Sequence, residues 1–204
     1  MKKVNLLLLL LIINLSLHAQ WNNIKNGALW KDTYGNPVQE HGAGFLQVGT
    51  KWYMVGEDRT YWNAGVNLYS TSDFVNWKFE KKIIPTTAYR SDRFIERPKL
   101  MRCPSTGKFV VWCHYEQGNY GASEAASFVC DSVNGLYTLS FSGRPLNIKS
   151  RDCNVFVDND GKGYFVSTTD ENQHLTLFEL STDYLTPVKS TRLSRFDWQQ
   201  REAP

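Results

Sequence analysis

Four acidic residues recur along the chain, Glu40, Glu96, Asp152 and Glu202, at intervals of 56, 56 and 50 residues. They stand in the segments Gln39-Glu40-His41-Gly42-Ala43-Gly44, Glu96-Arg97-Pro98-Lys99, Ser150-Arg151-Asp152-Cys153 and Arg201-Glu202-Ala203-Pro204. An ordinary packed strand has no need of such residues at its start. Carboxyl groups brought together disfavour one another's ionisation, and one of them can then stay protonated near neutral pH. A protonated carboxyl beside an ionised one is the pair that glycoside hydrolysis uses. The neighbouring arginines allow a plainer reading, in which Arg97, Arg151 and Arg201 make structural ion pairs. The choice depends on whether folding brings the segments to one place.

The elements that would do so also repeat. A turn with Gly and Lys leads into an aromatic strand at Gly49-Thr50-Lys51-Trp52-Tyr53, Gly107-Lys108-Phe109 and Gly161-Lys162-Gly163-Tyr164. Tyr53, Phe109 and Tyr164 are spaced by 56 and 55 residues. A second element, a strand running to an Asp in a turn, follows each time, ending at Asp73, Asp131 and Asp183. Helical periodicity is nearly absent after residue 20, and short β-rich runs are bounded by Gly, Asn, Asp and Pro. The second unit reads as four strands, near Arg97–Cys103, Phe109–Tyr115, Ala125–Cys130 and Tyr137–Leu139. A four-stranded antiparallel unit of this length is a β-propeller blade. A sandwich would explain the short strands but not the repeat. In a propeller the first strand of each blade lines a central channel, so the four acids would converge at its mouth.

Residues 20–204 hold three such units and the start of a fourth, whereas propellers close with about 4–8 blades. The expectation is an all-β chain that forms the N-terminal part of a propeller within a longer protein. Residues 1–19 read as a signal peptide, with Lys2 and Lys3 ahead of the apolar run Leu6–Ile13. That run is too short for a bilayer core of about 30 Å. Export to a periplasm or the outside is expected, with no membrane contact after signal removal.

At the acidic segments the chain resembles glycoside hydrolase family 43, a five-bladed propeller family, and within it the exo-β-1,3-galactanase branch. Val55-Gly56-Glu57, Gly65–Ser70 with Asp73 and Asn76-Trp77, His114 and Asn119-Tyr120 carry the resemblance further. It implies a secreted, inverting hydrolase that removes galactose from β-1,3-galactan. Glu202 is implied as the general acid, Asp152 as the carboxylate that orients it and raises its pKa, and Glu96 as the acid that holds the terminal galactose. Gln39, His41, Glu57 and Tyr120 are implied as substrate contacts, with His41 either touching sugar or filling the channel neck. Most of the wider family has an Asp base at the start of the first inner strand. Here that position falls near Gly42, so the water-holding group is sought beyond Pro204. Another family 43 specificity (arabinofuranosidase or xylosidase) and a carbohydrate-binding propeller without turnover are the competing readings.

Other features narrow the field. The net charge is +3, from 23 basic and 20 acidic residues, and basic runs are lacking, so nothing favours nucleic acid. The four cysteines, Cys103, Cys113, Cys130 and Cys153, sit inside strand-like runs without zinc spacing. Export permits a disulfide among them, and free buried thiols are the other possibility. Asp158-Asn159-Asp160-Gly161 opens like a calcium loop, but Thr169 stands where its twelfth-position Glu belongs, so a hairpin turn is expected. No metal and no cofactor is called for. Tyr61, Trp62 and Trp198 are candidates for outer sugar subsites or for blade packing.

Overall fold

The computed structural model describes residues 23–193, and its fold is all-β. Twelve strands form three four-stranded antiparallel sheets, each a simple meander in chain order. The first contains β1 (His41–Val48), β2 (Lys51–Glu57), β3 (Val66–Thr71) and β4 (Lys78–Ile84). The second contains β5 (Phe94–Arg102), β6 (Phe109–Glu116), β7 (Glu124–Cys130) and β8 (Thr138–Gly143). The third contains β9 (Ser150–Val157), β10 (Gly163–Thr169), β11 (His174–Leu180) and β12 (Pro187–Arg192). The strands read from the repeat in the second unit agree with these within a few residues. The outermost strand, β8, is longer than the sequence suggested. No helix among the described residues is long and apolar enough to cross a membrane.

The first strands of neighbouring sheets lie side by side, β1 against β5 and β5 against β9. Two cores fill the spaces between sheets. Val55, Leu68, Ile84, Ile95, Val111, Tyr115 and Phe128 pack between the first and second. Met101, Val110, Trp112, Cys153, Phe165 and Phe178 pack between the second and third. Strand β6 shows why all its eight residues are buried. Side chains alternate along a strand, so Phe109, Val111, Cys113 and Tyr115 join the first core, while Val110 and Trp112 join the second. His114 and Glu116 continue the second face, where the apolar run gives way to charge. The alternation thus places a histidine and a glutamate deep at one end of the middle sheet.

Residues 158–162 form the expected hairpin turn, with the Gly161 N–H donating to the Asp158 carbonyl at 2.9 Å. All four cysteines are free thiols, with Cys103, Cys113 and Cys153 buried.

Each first strand carries one extra residue near its start. The pairing of β1 with β2 slips between His41 and Gly44, that of β5 with β6 between Glu96 and Lys99, and that of β9 with β10 between Ser150 and Cys153. The three slips are equivalent, at spacings of 55 and 54 residues. A bulge of this kind bends the strand and re-aims its side chains. Gly42 and Arg97, inside the first two, adopt left-handed backbone with φ of 64° and 50°.

Trp112 is the heaviest joint between the second and third sheets. It is fully buried, lies 4.9 Å from the Phe165 ring, and donates its indole N–H to the Tyr184 carbonyl at 2.8 Å. Trp112→Ala leaves a cavity and strands that carbonyl, and the expected loss of stability is about 3–5 kcal/mol. Urea unfolding followed by tryptophan fluorescence checks this. A loss below about 1 kcal/mol would mean that the two sheets do not depend on this contact.

Candidate active site

The three bulges open onto one cavity of about 180 Å3. A cavity of about 150 Å3 takes a benzene molecule, so there is room here for a sugar ring. His41 comes from β1, Glu57 from β2, Glu96 and Arg97 from β5, and His114 from β6. Tyr120 comes from the β6–β7 loop, Arg151 and Asp152 from β9, and Asn172 from the turn after β10.

Charges of both signs alternate around the cavity. The Arg97 Nε lies 2.8 Å from Asp152 Oδ1. Arg59, in the loop after β2, reaches Glu57 at 2.5 Å and Glu96 at 3.6 Å. His41 Nδ1 lies 3.1 Å from Glu57 Oε1, and the Arg97 backbone N–H donates to the same oxygen at 2.8 Å. The Tyr120 hydroxyl donates to Glu96 Oε1 at 2.7 Å. His114 Nδ1 stands 3.1 Å from Glu96 Oε2. Burial works to raise the Glu96 carboxyl, but His114, Tyr120 and Arg59 outweigh it and hold Glu96 below the usual range. Glu96 is therefore an ionised acceptor that can receive sugar hydroxyls, and it is unsuited to donating a proton. Burial and the Glu96 charge push the Tyr120 hydroxyl up to about 12, so it stays a donor.

Most of the acids and sugar contacts expected from the sequence meet here. Glu96 and Asp152 line the cavity with His41, Glu57 and Tyr120. Glu202 and Trp198 lie outside the described residues, as do residues 1–22. Gln39 does not line the cavity, and its backbone is tied to β3. There its N–H donates to the Tyr69 hydroxyl, and its carbonyl accepts from Asn67. Tyr61 and Trp62 are exposed beside the site, with the Trp62 ring 5.0 Å from Phe94 and under the Arg59 guanidinium.

Glu40 requires a correction. The sequence spacing aligned it with Glu96 and Asp152, but the pairing register does not. His41, Glu96 and Ser150 open the three bulges, so the counterpart of Glu40 in the second sheet is the core residue Ile95. The Glu40 side chain accordingly turns inward against Gly56, and both carboxyl oxygens are buried without a hydrogen-bond partner. Glu57, one strand further on, supplies the carboxylate that Glu40 was expected to place at the mouth.

Gly42 follows the same logic. A Cβ added there would stand 3.0 Å from the Arg97 Cα and 3.1 Å from Glu57 Oε1, on left-handed backbone. The space that a side chain at 42 would enter is already filled by Glu57 and Arg97. The carbonyls of Gly42 and Ala43, turned out of the ladder by the bulge, accept from Lys99 Nζ at 2.6 and 2.9 Å.

The spacing of the acids did not reveal Arg59, Arg97, Arg151, Asn172 or Glu116 as parts of the site. A signal for two of them existed. The second strand of each sheet turns polar at Glu57, His114 and Thr169, which pair with the residues that open the bulges, and Arg59 and Glu116 stand two residues beyond the first two. Among the described residues no group of three or more His, Cys, Asp or Glu side chains is arranged to hold a metal ion.

No family model and no curated protein matches the chain. Solved structures do. An exo-β-1,3-galactanase from Clostridium thermocellum is 41% identical with a TM-score of 0.83, over 88% of this chain and 42% of that one. An exo-β-1,3-galactanase from Phanerochaete chrysosporium, solved with galactose, is 33% identical with a TM-score of 0.79, over 86% and 43%. A family 43 β-1,3-galactosidase solved with galactodeoxynojirimycin is 32% identical with a TM-score of 0.77, over 83% and 66%. The chain thus spans about two fifths of the length of the first two.

The buried Glu40 carboxyl sets a pH dependence. Its lost hydration, with Asp58 adding to the effect, raises its pKa well above 4.5. Below about pH 4.5 the group is protonated in the folded and unfolded chain alike, and it has no effect on stability. Above that pH the unfolded chain releases the proton and the folded chain keeps it, so stability falls as pH rises, by up to about 1.4 kcal/mol per unit. Glu40→Gln removes this slope. The variant is expected to match wild type in acid and to exceed it at neutral pH, in urea titrations at several pH values. A variant less stable than wild type at neutral pH would mean that the Glu40 carboxylate is ionised and paired.

Proposed function

The chain belongs to glycoside hydrolase family 43, on its exo-β-1,3-galactanase branch, and from that premise we propose that it acts in a secreted enzyme releasing galactose from the ends of β-1,3-galactan. The observation that carries the reading is the sugar-sized cavity in which Glu96 is kept ionised by His114, Tyr120 and Arg59. The relatives named exo-β-1,3-galactanases support the same specificity.

In this reading the three sheets are blades of a five-bladed propeller, and the cavity is the mouth of its channel. Glu96 accepts hydroxyls of the terminal galactose, with Tyr120, Glu57 and His41 around the same ring. Asp152, held by Arg97, orients Glu202 and keeps it protonated for transfer to the leaving oxygen. Inversion requires water to attack from the opposite face of the ring. Residues 1–19 direct export.

The test is galactose release from β-1,3-galactan by the protein expressed with its complete reading frame. Release of single galactose units, first seen as the α-anomer by NMR, is expected. Glu202→Gln is expected to slow hydrolysis by about 10²–10⁴-fold, the usual contribution of a general acid. Glu96→Gln is expected to weaken galactose binding. Full activity in Glu202→Gln would remove that assignment. Faster turnover of aryl arabinofuranosides or xylosides would replace the specificity, and binding without turnover would replace the enzyme reading.

A further inference from the structure

We propose that Glu116 is a positioning residue: through His114 and the loop 117–123 it fixes both oxygens of Glu96 for the sugar. The inference rests on the reading of Glu96 as the galactose-holding acid. Glu116 itself cannot touch a sugar, because its side chain is fully buried behind His114.

Its carboxylate is the point at which the β6–β7 loop closes. Oε1 accepts the backbone N–H groups of Gln117 at 2.9 Å and Ala122 at 2.8 Å, and Oε2 accepts that of Ser123 at 3.0 Å. The loop so closed holds Tyr120 and Ser123 in left-handed backbone, with φ of 56° and 50°. A non-glycine residue there is strained and persists only where its surroundings fix it. From that position the Tyr120 hydroxyl reaches Glu96 Oε1. The second route is shorter. Glu116 Oε2 lies 3.1 Å from His114 Nε2, and His114 Nδ1 lies 3.1 Å from Glu96 Oε2. Glu96 Oε1 is thus hydrogen-bonded by a residue of the loop that Glu116 closes, and Oε2 faces, as an ion pair, the imidazole that Glu116 holds. A site of this kind needs its supporting residues locked to stay in productive geometry.

The arrangement is particular to the middle sheet. By register the counterparts of Glu116 are Arg59 and Glu171, and Glu171 is exposed on a turn, paired with Lys149 and Arg151. The charged groups around His114 are Glu96 from β5, Glu116 on its own strand, Arg59 near Glu96, and Arg151 from β9, 3.7 Å from Glu116. The Tyr120 ring stands beside it. Burial opposes the imidazolium, but the two carboxylates prevail and raise the His114 pKa.

The test compares wild type, Glu116→Gln and Glu116→Asp, expressed with the complete reading frame. Two quantities are followed against pH: the His114 ring nitrogens by NMR and galactose affinity by calorimetry. Glu116→Gln is expected to lower the His114 titration midpoint and to weaken galactose binding about tenfold, the loss of one charge-assisted hydrogen bond. The pH at which binding is lost should move down with the midpoint. Glu116→Asp keeps the charge and should restore the midpoint. A wild-type midpoint in Glu116→Gln overturns the proposal, and so does wild-type affinity. If Glu116→Gln does not fold, His114→Gln, which leaves the loop bonds in place, decides. A tenfold loss of affinity supports the proposal, and wild-type affinity overturns it. Failure of wild type to bind galactose would refute the functional reading alone, and the His114 midpoints would still decide whether Glu116 holds His114.

Discussion

One extra residue at the start of each first strand governs this structure. Without it, strict alternation would send successive side chains of β1, β5 and β9 to opposite faces of their sheets. The slip at His41–Gly44, Glu96–Lys99 and Ser150–Cys153 breaks that alternation at the same level in all three sheets. Charged side chains can then face a shared cavity while the strands continue into apolar cores. The left-handed backbone at Gly42 and Arg97 goes with this geometry, and Lys99 satisfies the carbonyls it exposes.

Bringing so many charges together is tolerable only because they compensate one another. Glu57 is held by Arg59 and His41, Asp152 by Arg97, and Glu96 by His114 and Tyr120. A buried carboxylate without such partners is driven toward its protonated form, and Glu40, packed against Gly56 without a hydrogen-bond partner, is that case. The contrast between Glu40 and Glu96 comes from one step of register. The same side chain is pushed toward its neutral form in one place and toward its ionised form in the other.

The site was partly legible in the sequence. Glu96, Asp152, His41, Glu57 and Tyr120 were expected at one place, and the cavity collects them. The plainer reading of the arginines was also partly right, since Arg97 and Arg151 are both engaged in ion pairs. Glu40 was misplaced because a spacing of 56 residues in sequence is not the structural spacing, which is 55 and then 54 between bulges. An error of one residue on a strand reverses the side chain. Glu116 was invisible because its role lies in backbone N–H groups six and seven residues further on, and a loop closure leaves no residue pattern.

The sequence by itself determined the strand content, the repeat and the polar strand ends, because alternation and turn chemistry are local and are written residue by residue. It also determined that acids recur near the start of each repeat. Only the tertiary structure decided which of them share a cavity and in what protonation state. Those outcomes depend on the register between paired strands and on which charges burial places within a few ångströms, and neither is a property of any segment taken alone.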